Sequence, residues 1–202
     1  MNYDKTDDKI DNKIDNRKII LESALELFSK RQYEAVGIQE IVSLSNITKP
    51  TLYYYFGNKK GLFETIIKEY GNDLIEKLKR VESYNENLTG SLKRIVEIYF
   101  NLTKNNSKFA RMLLNYFNNI SDASEIKDIT FKFYFETFSL VENIFNKESK
   151  SNGNMVGREK IYAMTFIGML FTYMTLIING LVEIDDRLIF DAVRQFLYGI
   201  YS

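Results

Sequence analysis

The chain has 202 residues, of which 45% are hydrophobic and 27% charged, a balance that excludes a wholly disordered polypeptide and suffices for a small domain joined to a larger one. It contains no cysteine and no histidine, which excludes disulfides, thiolate zinc sites, cysteine nucleophiles and every catalytic triad that depends on imidazole. With 27 basic and 27 acidic residues the net charge is zero, so any affinity for nucleic acid must come from local charge.

A single proline, few glycines and long stretches of apolar residues three and four apart predict an all-α fold. No nucleophile and base stand together in a recognisable pattern, so an enzyme is not expected, nor a metal or cofactor. The N-terminus lacks the charged end, apolar core and cleavage site of a secretory leader, and a cytoplasmic location is expected.

Residues 1–15 are polar and carry a short repeat, Lys9-Ile10-Asp11-Asn12 then Lys13-Ile14-Asp15-Asn16. They read as a frayed tail or solvated extension of the first helix rather than a DNA-contacting arm, because the aspartates repel phosphate. From Arg17, the apolar positions Ile20, Leu21, Ala24, Leu25, Leu27 and Phe28 predict helix one, which stops at the polar run Ser29-Lys30-Arg31-Gln32. A second, short helix over 38–45 follows, packing through Ile38, Ile41 and Val42.

Asn46-Ile47-Thr48 makes a tight turn, with Asn46 tolerating the left-handed conformation and Thr48 placed to cap a third helix. That helix starts at Lys49-Pro50, where the missing proline amide has no intrahelical partner to lose, and runs to about Tyr55. After Gly57-Asn58 a long fourth helix reaches Val81, with the stripe Leu62, Phe63, Ile66, Ile67, Tyr70, Leu74, Leu78. Five more helices are expected near 88–104, 107–118, 122–148, 157–179 and 185–201, with a polar loop at Ser149–Asn154.

Two short helices joined by a tight turn, the second opening with small and basic residues, form the layout that places a recognition helix in the DNA major groove. Between Glu40 and Glu64 the only charged residues are Lys49, Lys59 and Lys60, so the stretch is locally basic. The run Asn46-Ile47-Thr48-Lys49-Pro50-Thr51-Leu52-Tyr53-Tyr54-Tyr55-Phe56-Gly57-Asn58-Lys59-Lys60-Gly61-Leu62-Phe63 closely resembles the signature of the TetR family of regulators. The resemblance begins at Arg17-Lys18-Ile19-Ile20 and covers roughly the first third of the chain.

The resemblance implies a helix-turn-helix domain over 16–60, with its motif at 37–56, and a ligand-binding and dimerisation domain over 61–202. It implies double-stranded DNA and a second copy of the chain as partners. On the DNA side, Thr48 caps the recognition helix, Lys49, Pro50 and Thr51 fill its first turn, Tyr53, Tyr54 and Tyr55 offer hydroxyls, and Lys59 is expected at a phosphate across the groove. By the same resemblance Leu52 and Phe56 close the small core; four consecutive aromatics cannot all face inward on one helix, so at least one or two of them are exposed. Val36 and Gly37 stand where the family usually has hydroxyl residues, and Pro50 where glycine is common. The backbone amides of Gly37 and Ile38 are thus the candidates for the phosphate contact at helix two.

With 15 phenylalanines and 14 tyrosines, the chain has more aromatic bulk than a tight small core interdigitates. The resemblance adds a small hydrophobic or aromatic ligand bound among helices four to eight. Candidate lining residues are Tyr70, Leu74, Tyr99, Phe109, Met112, Leu113 and Tyr116, with Phe131, Tyr134, Phe135, Phe138, Phe166, Met169 and Tyr173 beyond them. Glu136 lies on a polar stripe and is expected to pair with Lys132 at i,i+4.

Ile161 to Gly180 carries no charge and approaches the length of a membrane span, but its small polar stripe and the lack of a basic flank favour a buried helix, and no membrane partner is expected. The resemblance pairs the last two helices with their symmetry mates, through Gly168, Thr172 and Thr175 on one and Leu188, Ile189, Ala192, Phe196 and Ile200 on the other. The function expected is a repressor released from a near-palindromic operator by the ligand. The alternatives are a regulator of the same fold with no small ligand, acting through a protein partner or as an activator, and a membrane-associated helical protein.

Overall fold

Helix α1 (Asp7–Lys30) buries Ile20, Leu21, Ala24, Leu25 and Phe28 along one stripe, as the spacing predicts. The computed structural model describes residues 7–84, 86–117 and 125–199, with side chains from Asn16 onward except that of Phe117. The α1 backbone is already helical at Asp7, inside the stretch read as a tail, and residues 1–6 lie outside the described residues. A 3-10 turn at Tyr33–Ala35 leads to α2 (Ile38–Ser45) and α3 (Lys49–Phe56). The fourth helix, α4, runs without a break over Lys59–Ser83.

The larger part consists of α5 (Leu88–Asn105), α6 (Ser107–Phe117), α7 (Lys127–Ser149), α8 (Glu159–Ile178) and α9 (Asp186–Tyr198). Among the described residues every regular element is helical, so the all-α expectation holds. Asn58, Asn87 and Asp185 start α4, α5 and α9 by accepting from the amides of Gly61, Gly90 and Leu188, at 2.8, 2.8 and 2.6 Å.

The first three helices close over an aromatic knot. Phe28 stacks on Tyr33 at 5.7 Å between ring centres, and Phe63 meets both edge-on at 5.4 Å. Leu52 and Phe56 of α3 and Ile41 of α2 complete this core. Helix α4 then packs on α5 and α7, α7 on α8, and α5 on α8 and α9.

The two parts are joined by more than α4, because α6 lies against the end of α1. The last carbonyls of a helix have no intrahelical donor. Here Asn115 donates to the Ser29 oxygen at 2.8 Å and the Tyr116 hydroxyl to the Arg31 oxygen at 3.2 Å. Lys108 pairs with Glu26 at 2.7 Å, and the Tyr33 hydroxyl donates to Glu125. Burial and that carboxylate raise the Tyr33 phenol well above its ordinary pKa, so it stays a donor.

Candidate nucleic-acid interface

The turn before α3 is built as the sequence predicts. Asn46 takes φ 52° and ψ 34°, and the Ile47 amide donates to the Val42 oxygen at 3.3 Å, which reverses the chain after α2. Pro50 lies in the first turn of α3. Leu52 and Phe56, four residues apart, are buried, which sets the opposite face of α3 outward.

That outward face carries the sequence-predicted residues. Thr48, Lys49 and Pro50 are exposed and Thr51 half-exposed, while Tyr53 and Tyr54 are 40% and 68% exposed. The Lys49 ammonium lies 5.7 Å from the centre of the Tyr53 ring. Tyr55 is half-buried and meets Tyr54 edge-on at 5.1 Å, so its body braces the helix. The structure brings these residues to one side of α3, with the first-turn amides at the positive end of the helix.

Three expected roles change. Thr48 occupies the N-cap position with extended backbone, but its hydroxyl meets the Thr51 hydroxyl at 2.8 Å instead of capping an amide. The amides of Lys49 and Thr51 are therefore not taken by that side chain. At α2, the Gly37 amide is taken: it donates to Glu40 Oε2 at 3.1 Å, and Glu40 also pairs with Arg31 at 2.8 Å. Those two partners, the amide first, hold the Glu40 carboxyl below its ordinary pKa. A fixed carboxylate at this helix start repels phosphate, which leaves the Ile38 amide as the remaining candidate.

Lys59 is the third. Expected at a phosphate, its ammonium instead donates to the backbone oxygens of Tyr33 and Val36, both at 3.0 Å, above the Tyr33 ring. Partial burial lowers its pKa. Two of its three protons close the start of α4 onto the 3-10 turn, while the neighbouring Lys60 is exposed. A position missed from sequence is Gly61, where a Cβ would stand 2.2 Å from the Phe56 oxygen; only glycine lets α4 begin this close to the end of α3.

Behind this interface, Tyr99, Phe109, Met112, Leu113, Tyr116 and Phe166 are buried, and half-buried Tyr70 lies 5.7 Å from Phe109. Leu74 is buried beside them, and the Tyr134 hydroxyl donates to the Leu113 oxygen. Burial raises the phenols of Tyr99, Tyr116 and Tyr134, which remain neutral. Phe131 and Phe135 do not join them. They stack on each other at 6.1 Å on the outer face of α7, 62% and 61% exposed, because the buried stripe of α7 runs through Thr130, Phe133 and Thr137. Phe138 is half-buried. Glu136 pairs across to Lys79 of α4 at 3.5 Å rather than to Lys132.

Met169 and Tyr173 line an open groove of about 640 Å³ between α8 and α9, together with Ile161, Thr172 and Phe196. Helix α8 is long and apolar enough to cross a membrane, yet 28% of its most apolar window is buried within the chain, fewer positions than a buried helix implies. Ile161, Met164, Thr165, Gly168, Thr172 and Thr175 face outward. On α9 the expected outward stripe is reversed. Ile189 and Ala192 are buried in the chain's own core, and Phe196 packs on Phe145 and Phe166, whereas Phe190 and Tyr198 are exposed. Leu188 is half-buried, and Ile200 lies outside the described residues.

Residues 20–66 match the model of the family described as bacterial regulatory proteins, tetR family. The biofilm operon icaADBC HTH-type negative transcriptional regulator IcaR of Staphylococcus aureus (strain Newman) is 36% identical over 59 residues, 28% of this chain and 32% of that protein. The shared segment thus spans about a third of this relative's length. A solved Clostridium perfringens putative fatty acid metabolism regulator superposes with a TM-score of 0.77 over 91% of this chain and 99% of that one, at 24% identity. The transcriptional regulator FadR of Bacillus subtilis, solved in complex with stearoyl-CoA, gives 0.72 over 91% and 99% at 15% identity. At these identities the structural likeness shows the fold.

Proposed function

We propose that this chain is a regulator of the TetR type, a homodimeric transcriptional repressor released from a near-palindromic operator by a small hydrophobic ligand, a reading supported by the match of residues 20–66 to that family's model. One observation carries the reading: Lys49, Thr51, Tyr53 and Tyr54 stand together on the open side of a helix whose other side is locked by Leu52 and Phe56. A first turn of free amides, a lysine and hydroxyls matches the chemistry of phosphate and base edges.

The dimer is supported by the outward stripe of α8 and by the exposed Phe190 and Tyr198 of α9, apolar surface that a second copy would cover by pairing the same helices. Two recognition helices would then sit about 34–36 Å apart, one turn of B-DNA. An acyl chain is the ligand class best supported, by the aromatic interior and by the stearoyl-CoA of the Bacillus subtilis FadR structure. The ligand releases DNA to the extent that it binds better to the state with displaced DNA-binding domains.

The test is DNA binding over a salt series with a fragment selected by the wild-type protein from random-sequence DNA. Lys49→Ala should weaken binding and flatten the salt dependence, and Tyr53→Phe should weaken it. Equal binding by wild type and both variants would overturn the assignment of α3.

A further inference from the structure

On α4, Gly71 faces the ring of Phe133 on α7, and a Cβ at Gly71 would stand 2.5 Å from Phe133 Cε2. The ring fills the notch left by the missing side chain. Phe133 is 5% exposed and has two surroundings. Inward it meets Phe109 at 6.3 Å and Tyr134 at 5.9 Å. Outward it forms part of the floor of an open groove of about 460 Å³ between α4 and α7, with Ile67, Ile75 and Ile129. The ring is thus the partition between the groove and the buried aromatic interior.

We infer that Phe133, seated against Gly71, is the latch through which a ligand enters between α4 and α7 and by which its arrival is felt at the DNA-binding domain. This rests on the ligand reading above. To let an apolar chain pass from the groove to Phe109 and Tyr70, the Phe133 ring must leave the Gly71 notch, and the close packing of α4 on α7 depends on that notch. Helix α4 runs unbroken from Gly71 back to Lys59, roughly 18 Å at 1.5 Å per residue, so a change in its seat on α7 is carried to the end of the recognition helix. The groove rim holds Lys68 and Lys132 beside Glu64, Asp128 and Glu136, a mixed set with no strong preference of sign. The latch therefore selects for apolar shape.

Gly71→Ala tests the latch without any ligand. Alanine favours a helix over glycine, so a loss must come from the ring it displaces. The expected result is a folded, fully helical protein whose affinity for the selected DNA fragment falls roughly tenfold or more, a typical allosteric coupling. Phe133→Leu added to Gly71→Ala should restore it. Wild-type affinity in folded Gly71→Ala, or no recovery in the double variant, overturns the proposal. Should Gly71→Ala fail to fold, Phe133→Ala decides: it removes the partition, and the stopped-flow association rate of the fluorescent fatty acid cis-parinaric acid should rise roughly tenfold, an unchanged rate overturning the latch. Absence of parinaric acid binding to wild type and variant counts against the ligand reading, while the ligand-free DNA series still judges the latch.

Discussion

Glu26 of α1 and Lys108 of α6 form an ion pair of 2.7 Å across the joint between the DNA-binding helices and the larger part of the chain. Lys108 and, after it, Lys30 hold the Glu26 carboxyl down to about 2 from an ordinary 4.5. A depressed carboxyl adds stability that is complete above its unfolded pKa and is lost as pH falls through the folded one. Because the side chain remains 26% exposed, solvent screening reduces this to about 1 kcal/mol. Glu26→Gln should therefore cost about that much at pH 7 in urea denaturation, with the gap closing between pH 4.5 and 2. A gap that does not change with pH would assign the effect to packing.

Lys59 and Lys60 are adjacent in sequence and should separate in experiment. Lys59→Met keeps the apolar stem over Tyr33 but removes donors to two carbonyls, and should lower stability by about 1.5–3 kcal/mol, read from thermal denaturation. Lys60→Ala should leave stability within about 0.5 kcal/mol and weaken DNA binding with a smaller salt slope, if the exposed ammonium reaches a phosphate. The opposite pattern would return the phosphate contact to Lys59.

Gly61→Ala places a methyl 2.2 Å from the Phe56 oxygen. In an unobstructed helix the change would gain up to about 1 kcal/mol. Here the backbone must shift, and a loss of at least about 2 kcal/mol is expected, together with loss of DNA binding because α3 ends at that carbonyl. A rise in melting temperature would show that the joint has room.

Leu52→Ala and Tyr54→Ala divide the two faces of α3. Leu52 is fully buried, and its truncation should cost about 2–5 kcal/mol. Tyr54 is 68% exposed, and its truncation should leave the denaturation midpoint nearly unchanged while reducing affinity for the selected DNA.

Gly168→Asp sets a carboxylate on the outward stripe of α8, where a Cβ meets no atom of the same chain. The single chain tolerates the change, but a paired copy would bury a charge against its own symmetry mate. Sedimentation equilibrium should show a shift from dimer to monomer. An unchanged dimer would place the interface elsewhere.

The helix order and the α3 signature were legible because both rest on local rules: 3.6-residue periodicity, an asparagine in the left-handed turn and a proline in a first turn. Leu52 and Phe56 were assigned to the core through the family resemblance, and they are buried. What spacing could not reveal was partners distant in sequence. Lys59 finds carbonyls 23 and 26 positions earlier, and Glu136 finds Lys79 rather than its own helical neighbour. Phe131, Phe135 and Ile189 were misplaced for a related reason. An aromatic-rich helix has apolar residues on several faces, and only the packing of α7 on α4 and α8, and of α9 on α5, selects which face turns inward. Gly61 and Gly71 left no signal, since a glycine in a helix looks the same whether it stands in open space or against a ring.

The hydroxyls of Thr165, Thr172 and Thr175 on α8 bond back to the oxygens of Ile161, Gly168 and Phe171, at 2.9, 3.1 and 2.8 Å. Each threonine thus presents its methyl group and asks no hydrogen bond of a neighbour. A helix face of this kind is dehydrated without stranding a donor or acceptor, and it carries no polar code to reject an approximate match. If a second copy pairs on this face as proposed, discrimination between that copy and a similar regulator would fall to shape alone, to the open space at Gly168 beside the exposed Ile161 and Met164, so that mixed pairs would become a matter of how closely two surfaces fit.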